Sequence, residues 1–268
     1  KYNMNLYRGC QHRCIYCDSR SECYQIEDFD GEILVKANAL ELLREELASK
    51  RVKGVIGLGS MNDPFMPVEV DLNLTGRALA IIAEFRFPVH IITKSDLVLK
   101  DLETLRRISE VYASVSFTIT TADDALAAKV EPFSPRPSAR LAAMRTLANH
   151  GIQTGVTLMP VLPFIEDTEE NIEGIVTQAA DAGASYIIAS MGMSLRDRQR
   201  AYYYRQLDRL FPGLRARYER TYGDRYSCGV PNAAALYEHL DKLCAQHNIA
   251  MQLPLYAPQA VEQLTMFG

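Results

Sequence analysis

No run of eighteen or more apolar residues occurs in the 268-residue chain, so a membrane-spanning helix is not expected. No basic, then apolar, then small-residue pattern stands in its opening KYNMNLYRGC, so a secretory signal is not expected there. Six cysteines, three of them within eight residues, are too few and too clustered for a disulfide framework. The expected setting is therefore a reducing, cytoplasmic compartment with thiols kept for metal or redox work. Excess positive charge is also missing: the formal net charge is −4, which gives no global attraction to nucleic acid. Tryptophan is absent, and the aromatic content rests on 14 tyrosines and 9 phenylalanines.

What is present is an alternation. Asn3–Gly9, Lys53–Gly59, Pro88–Lys94, Tyr112–Thr120, Ile152–Pro160 and Ala184–Ser190 read as strands, and helical patterns follow them. Pro137 suits the first turn of a helix and Gly151 its end; Thr168 suits a helix start and Gly183 a stop. The strands are apolar on both faces, as when helices cover a parallel sheet. Six such units predict an α/β fold, a partial (β/α)6 TIM-like barrel over residues 1–195, with a mainly helical C-terminal extension over 196–268 packing on it. A doubly wound open sheet is the alternative. In a barrel, chemistry gathers at the carboxyl ends of the strands.

The segment after the first strand, YRGCQHRCIYCDSRSEC, carries Cys10, Cys14 and Cys17 at Cys-x3-Cys-x2-Cys spacing. Two centres fit. Three thiolates can bind three irons of a [4Fe–4S] cluster and leave the fourth open to a small molecule. Alternatively Cys23 or His12 completes a tetrahedral zinc site.

With Tyr16 before the third cysteine, the loop resembles the signature of the radical S-adenosylmethionine superfamily, Cys-x3-Cys-x-aromatic-Cys after the first strand of a partial barrel. Within it the chain looks most like the branch of spore photoproduct lyase, on the stretches NLYRGCQHRCIYC, NDPFMPVE, VHIITKS, SFTITTADD with KVEP after it, and TGVTLMPVLPFIED. The resemblance implies an enzyme whose cluster, held by Cys10, Cys14 and Cys17, cleaves S-adenosylmethionine reductively to a 5′-deoxyadenosyl radical that abstracts hydrogen from substrate. It places Tyr16 beside the adenine, and Ser60, with Asn62 and Asp63, near the methionine amino group. Lys94 would meet the methionine carboxylate, with Ser116 on the carboxylate or ribose and Thr118 on the same strand face. A flavodoxin or ferredoxin suits as electron donor, and a nucleic acid or nucleotide leads as substrate class by analogy alone.

Two departures speak against thymine-dimer repair. The cysteine that returns hydrogen in the lyases falls near Gly59–Ser60 here, and Asp18 stands where they have tyrosine. Of the other thiols, Cys228 is the candidate hydrogen donor or radical relay, in a turn-rich segment able to reach the barrel mouth. Cys244 reads as core, and Cys23 as a cap on the cluster loop or a packing residue. Finally, Arg196–Tyr226 carries nine arginines against four acids, with six tyrosines interleaved. It reads either as a nucleic-acid-binding surface or as amphipathic helices with aromatics inward and arginines in water. The competing function is a zinc-stabilised nucleic-acid-binding module without catalysis.

Overall fold

The computed structural model describes residues 1–29 and 31–257; the last eleven residues of the predicted 196–268 extension lie outside the described part. Six parallel strands form one sheet in chain order: β1 (Tyr2–Met4), β2 (Ile56–Leu58), β3 (Val89–Thr93), β4 (Ala113–Thr118), β5 (Gln153–Leu158) and β6 (Tyr186–Ala189). Strands that each pair only with their chain neighbours, joined by helical crossovers, make the partial barrel; a doubly wound sheet would reverse its strand order.

Strand alternation decides what each side meets. Val89, Ile91, Val115, Phe117, Val156 and Leu158 are all fully buried in the main hydrophobic cluster. The intervening residues, including Ile92, Thr118 and Thr157, belong to the barrel interior, and these three line its cavity. The outer layer is α1 (Ala39–Ser49), α2 (Leu74–Glu84), α3 (Leu102–Ser109), α4 (Asp124–Val130), α5 (Pro137–Asn149) and α6 (Glu169–Asp181). Pro137 opens α5, and the Thr168 hydroxyl caps α6 by accepting from the Asn171 N–H at 3.2 Å, as the sequence predicts.

The predicted first strand is shorter than the stretch 3–9. The chain leaves the sheet after Met4, and Tyr7–Arg8 pairs instead with Leu34–Val35 in a small antiparallel ladder. The Tyr7 hydroxyl, buried, donates to the Glu69 carboxylate and so points away from the sheet's own continuation.

Beyond β6, β7 (Gly192–Ser194) and β8 (Ser227–Gly229) form an antiparallel ribbon, with α7 (Asp197–Leu210) and α8 (Leu214–Tyr222) between them. Gly192 has φ +146°, and a Cβ there would lie 2.7 Å from the Cys228 carbonyl oxygen, so the ribbon needs glycine. The last helix, α9 (Ala233–Gln246), leads to Ala250, which exchanges backbone hydrogen bonds with Ser185 and Ile187 and covers the edge of β6. A second hydrophobic cluster joins Cys14, Ile15 and Tyr16 of the cysteine loop to Tyr203, Tyr204, Leu207, Tyr218 and Tyr222 of α7 and α8.

This arrangement explains the arginine-rich stretch. Arg198 donates to the carbonyls of Arg20 and Ile26, and Arg200 to those of Leu195, Gly223, Asp224 and Arg225. Arg215 pairs with Asp208 and Glu219, while Arg217 stacks on Phe164. Tyr203, Tyr204, Tyr218 and Tyr222 of the two helices face inward, Tyr226 beyond them is exposed, and many of the arginines tie off carbonyls or acids; the helices are amphipathic. Among the described residues no helix is long and apolar enough to cross a membrane.

Candidate active site

At the carboxyl ends of the strands lies a cavity of about 640 Å³. Cys10, Cys14 and Cys17 lie on its wall, Cys14 buried and the other two half-buried. Their loop is held where it meets α4: the Ile15 N–H donates to the Val130 carbonyl at 2.9 Å. Burial pushes the Cys10 thiol up to about 12 and raises Cys14 as well. In the bare chain these thiols stay protonated, and a metal centre must displace their protons. Among the described residues no three His, Cys, Asp or Glu side chains converge on one point as they would around a single ion. The donor set, three cysteines on a cavity wall, fits the cluster.

The inner wall is a buried charge network. The Tyr16 hydroxyl donates to Glu131 Oε1, and the Arg140 guanidinium donates to Glu131 Oε2 and, at 2.8 Å, to the Thr118 carbonyl. Lys94 Nζ sits 4.0 Å from Glu131 Oε1 and 5.8 Å from the Tyr16 ring centroid. Burial alone would raise the Glu131 carboxyl, but Arg140, Lys94 and the Tyr16 hydroxyl hold it below its ordinary value. Burial alone would lower the Lys94 ammonium, yet Cys14, once it is a thiolate, and Glu131 raise it. Lys94 is therefore a cation at the cavity wall, supported from behind by an anion.

Asp63 ties this wall to the cysteine loop. Its Oδ1 accepts from the Phe65 N–H at 2.9 Å and the Thr93 hydroxyl at 2.7 Å; its Oδ2 accepts from the Lys94 N–H at 2.6 Å and lies 3.1 Å from His12 Nε2. Burial opposes its charge, but His12 and the donated hydrogen bonds hold it at about 2. Beside it, the Asn62 amide donates to the Tyr7 carbonyl. Asp63 and Asn62 line the cavity with these groups already engaged, so they set its shape. Ser60 is exposed at the edge, its hydroxyl 3.0 to 3.3 Å from Asn3 and Asn5. Gly59 precedes it with φ +94°, and a Cβ would lie 2.0 Å from the Ile92 carbonyl oxygen. No cysteine fits at 59 without moving β3.

Next to the cysteine loop Asp18 accepts from Arg196 Nε and Ser194 Oγ, each at 3.0 Å, and from the Tyr24 hydroxyl at 3.3 Å. The Arg196 guanidinium also lies 5.6 Å from the Tyr24 ring and 5.3 Å from the Tyr226 ring. Met61, Met159, Met191 and Met193 complete the apolar part of the lining.

Of the sequence-predicted residues, Cys10, Cys14, Cys17, Tyr16, Ser60, Asn62, Asp63, Lys94 and Thr118 are brought together on this cavity. Ser116 and Cys228 are not among its lining residues. Ser116 shares the face of Thr118 but sits one pleat deeper, its hydroxyl engaged by Tyr186 Oη at 2.6 Å and His90 Nε2 at 2.8 Å. Cys228 belongs to the tyrosine cluster, fully buried, while its neighbours Ser227 and Gly229 line the cavity; strand alternation turns its thiol away. Cys23 is exposed, 3.5 Å from the Ser21 hydroxyl, and Cys244 is buried in the core. The sequence assigns no role to Arg140 or Tyr24. Glu131 has a signal in the stretch KVEP, and Arg196 falls in the arginine-rich stretch read as a nucleic-acid surface or as amphipathic helices.

Comparison with known proteins agrees with this geometry. Residues 4–173 match the Radical SAM superfamily. An uncharacterized protein of Mycobacterium tuberculosis is 31% identical over 229 residues, 83% of this chain and 67% of that protein. An uncharacterized protein of Methanocaldococcus jannaschii is 35% identical over 171 residues, 63% of each chain. The chain thus spans about two thirds of these relatives. Spore photoproduct lyase complexed with dinucleoside spore photoproduct superposes with a TM-score of 0.69 at 17% identity, covering 91% of this chain and 73% of that one. A cysteine-lined cavity at the mouth of a six-stranded parallel sheet, on a chain whose residues 4–173 match that family, makes this protein an enzyme of the Radical SAM superfamily with the fold of spore photoproduct lyase.

Proposed function

We propose that the enzyme binds a [4Fe–4S] cluster through Cys10, Cys14 and Cys17 and uses it on S-adenosylmethionine, with a nucleic acid or nucleotide as substrate. The observation that carries this is the convergence of the three thiols, Tyr16 and the cation Lys94 on one 640 Å³ cavity. When bound, the cluster supplies the electron that splits the sulfonium and yields a hydrogen-abstracting adenosyl radical. The chain's own residues bind and orient. Lys94, fixed by Glu131, attracts the methionine carboxylate; Tyr16, fixed by the same carboxylate, offers its ring to the adenine. Thr118 and Ser60 add hydroxyls from β4 and the loop after β2. The buried wall keeps water from the reacting atoms. Residues 1–195 form the catalytic core, and the part beyond 196 closes the substrate side. A small flavodoxin- or ferredoxin-type protein supplies the electron.

The substrate class is supported by the likeness in fold to a lyase solved with a dinucleoside. Thymine-dimer repair is not carried over, because neither Gly59 nor Cys228 puts a thiol at the cavity. Family membership sets aside the non-catalytic zinc module; His12, its candidate ligand, is engaged with Asp63 and the Phe133 carbonyl.

The test is anaerobic reconstitution. About four irons and four sulfides per chain are expected, with release of 5′-deoxyadenosine on adding dithionite and S-adenosylmethionine. Cys14→Ala should lose both. Stoichiometric zinc in freshly isolated, never-oxidised protein would refute the proposal, as would a full cluster that never yields 5′-deoxyadenosine.

A further inference from the structure

From the geometry we infer that Tyr24, Arg196 and Tyr226 form a stacking platform at the cavity rim that receives a neutral nucleobase of a single-stranded substrate. This rests on the nucleic-acid reading above and names the part of the substrate that this rim takes.

Three observations carry it. The first is the layering: the Arg196 guanidinium lies 5.6 Å from one tyrosine ring and 5.3 Å from the other, and both tyrosines line the cavity. Aromatic rings and guanidinium planes are the surfaces on which unpaired bases stack, whatever their sequence.

The second is rigidity combined with exposure. Tyr226 is 54% exposed, yet its backbone is pinned, its carbonyl accepting from the Leu195 N–H at 2.8 Å where the β7–β8 ribbon begins. Tyr24 is held at both ends, its hydroxyl on Asp18 and its carbonyl on Arg8 at 2.6 Å. A fixed aromatic surface left open to solvent loses little conformational freedom when a ring covers it.

The third is charge. Asp18 grips Arg196 through two nitrogens, which cancels the cation locally. The arginine is thereby unavailable for a phosphate, and the carboxylate for a cationic group. Ser190, Ser194 and Ser227 bring hydroxyls to the same cavity, and Met61, Met159, Met191 and Met193 bring apolar surface. Hydroxyls offer both donors and acceptors, as the edge of an uncharged base requires. A flat, neutral heterocycle matches this composition, and the sugar–phosphate chain stays outside the cavity.

The test uses the reconstituted full chain and a fluorescein-labelled short oligothymidylate, with binding read by anisotropy. Losing one stacked base lowers affinity about 5- to 150-fold. Tyr226→Ala should show that loss, Tyr226→Phe should bind nearly as the parent does, and a mixed-base oligomer should behave alike. Because the chain has no tryptophan, Tyr226→Trp places a lone indole at the rim, and oligonucleotide binding should quench its emission. If the parent binds oligonucleotide and Tyr226→Ala binds it equally, with no quenching in Tyr226→Trp, the platform is refuted while the substrate class stands. If the reconstituted parent releases 5′-deoxyadenosine yet binds only an aromatic peptide and no oligonucleotide, both are refuted.

Discussion

Behind Tyr16 and Lys94 of the cavity wall, Glu131 and Arg140 each keep 1% of the side chain accessible; beside Tyr24, Asp18 and Arg196 keep 32% and 29%. Both are arginine–carboxylate pairs, and both position an aromatic ring, Tyr16 in the first case and Tyr24 in the second. Their energetics differ because water reaches only one of them. A buried pair must be complete, since each charge left alone has lost its hydration. A half-exposed pair can be rehydrated when its partner goes. The inner pair therefore builds structure, whereas the outer pair can be altered to tune a surface without unfolding it.

Substitutions at the two pairs put that contrast to the test. Glu131→Gln strands the Arg140 cation, and urea unfolding should show a loss of about 3–5 kcal/mol. A loss below that of an ordinary surface change would mean that the inner wall is wetter than its burial indicates. Next in size is His90 at the barrel floor, whose imidazole burial lowers to about 4. Between its ordinary value near 6.5 and that value, the folded chain binds fewer protons than the unfolded chain. Its stability therefore falls as pH falls through that window. The cost from pH 7 to pH 5 is about 2 kcal/mol, and the slope should flatten in His90→Gln, followed by denaturation of the apo-protein at each pH. Smallest is Asp18→Asn: about 1 kcal/mol or less in the same unfolding assay. An effect at Asp18 equal to that at Glu131 would erase the distinction between the walls.

The two walls were also unequally legible. Cysteine spacing, strand order and strand-end lysine are local properties, so Cys10, Cys14, Cys17, Tyr16 and Lys94 could be placed on one cavity from sequence. Ser116 could not be placed correctly, because alternation fixes the face of a residue and not its depth along the strand. Cys228 failed for the complementary reason: its loop was located, but the facing of a residue in a three-residue ribbon depends on register with β7. Glu131, just past the end of α4, and Arg140, within α5, lie nine residues apart, so only the fold shows that they meet. Asp18 and Arg196 are separated by 178 positions, and no pattern in one segment announces the other.

The hold of α7 on the cysteine loop bears on how such a chain matures. Gln199 donates to the Tyr16 carbonyl, Arg198 to those of Arg20 and Ile26, and the Ser21 hydroxyl to Asp197 at 2.7 Å. The cysteine loop is thus shaped by a segment that leaves the ribosome about 180 residues after it. Until then the three thiols lack these contacts, so the proposed cluster would be best assembled after translation has passed α8.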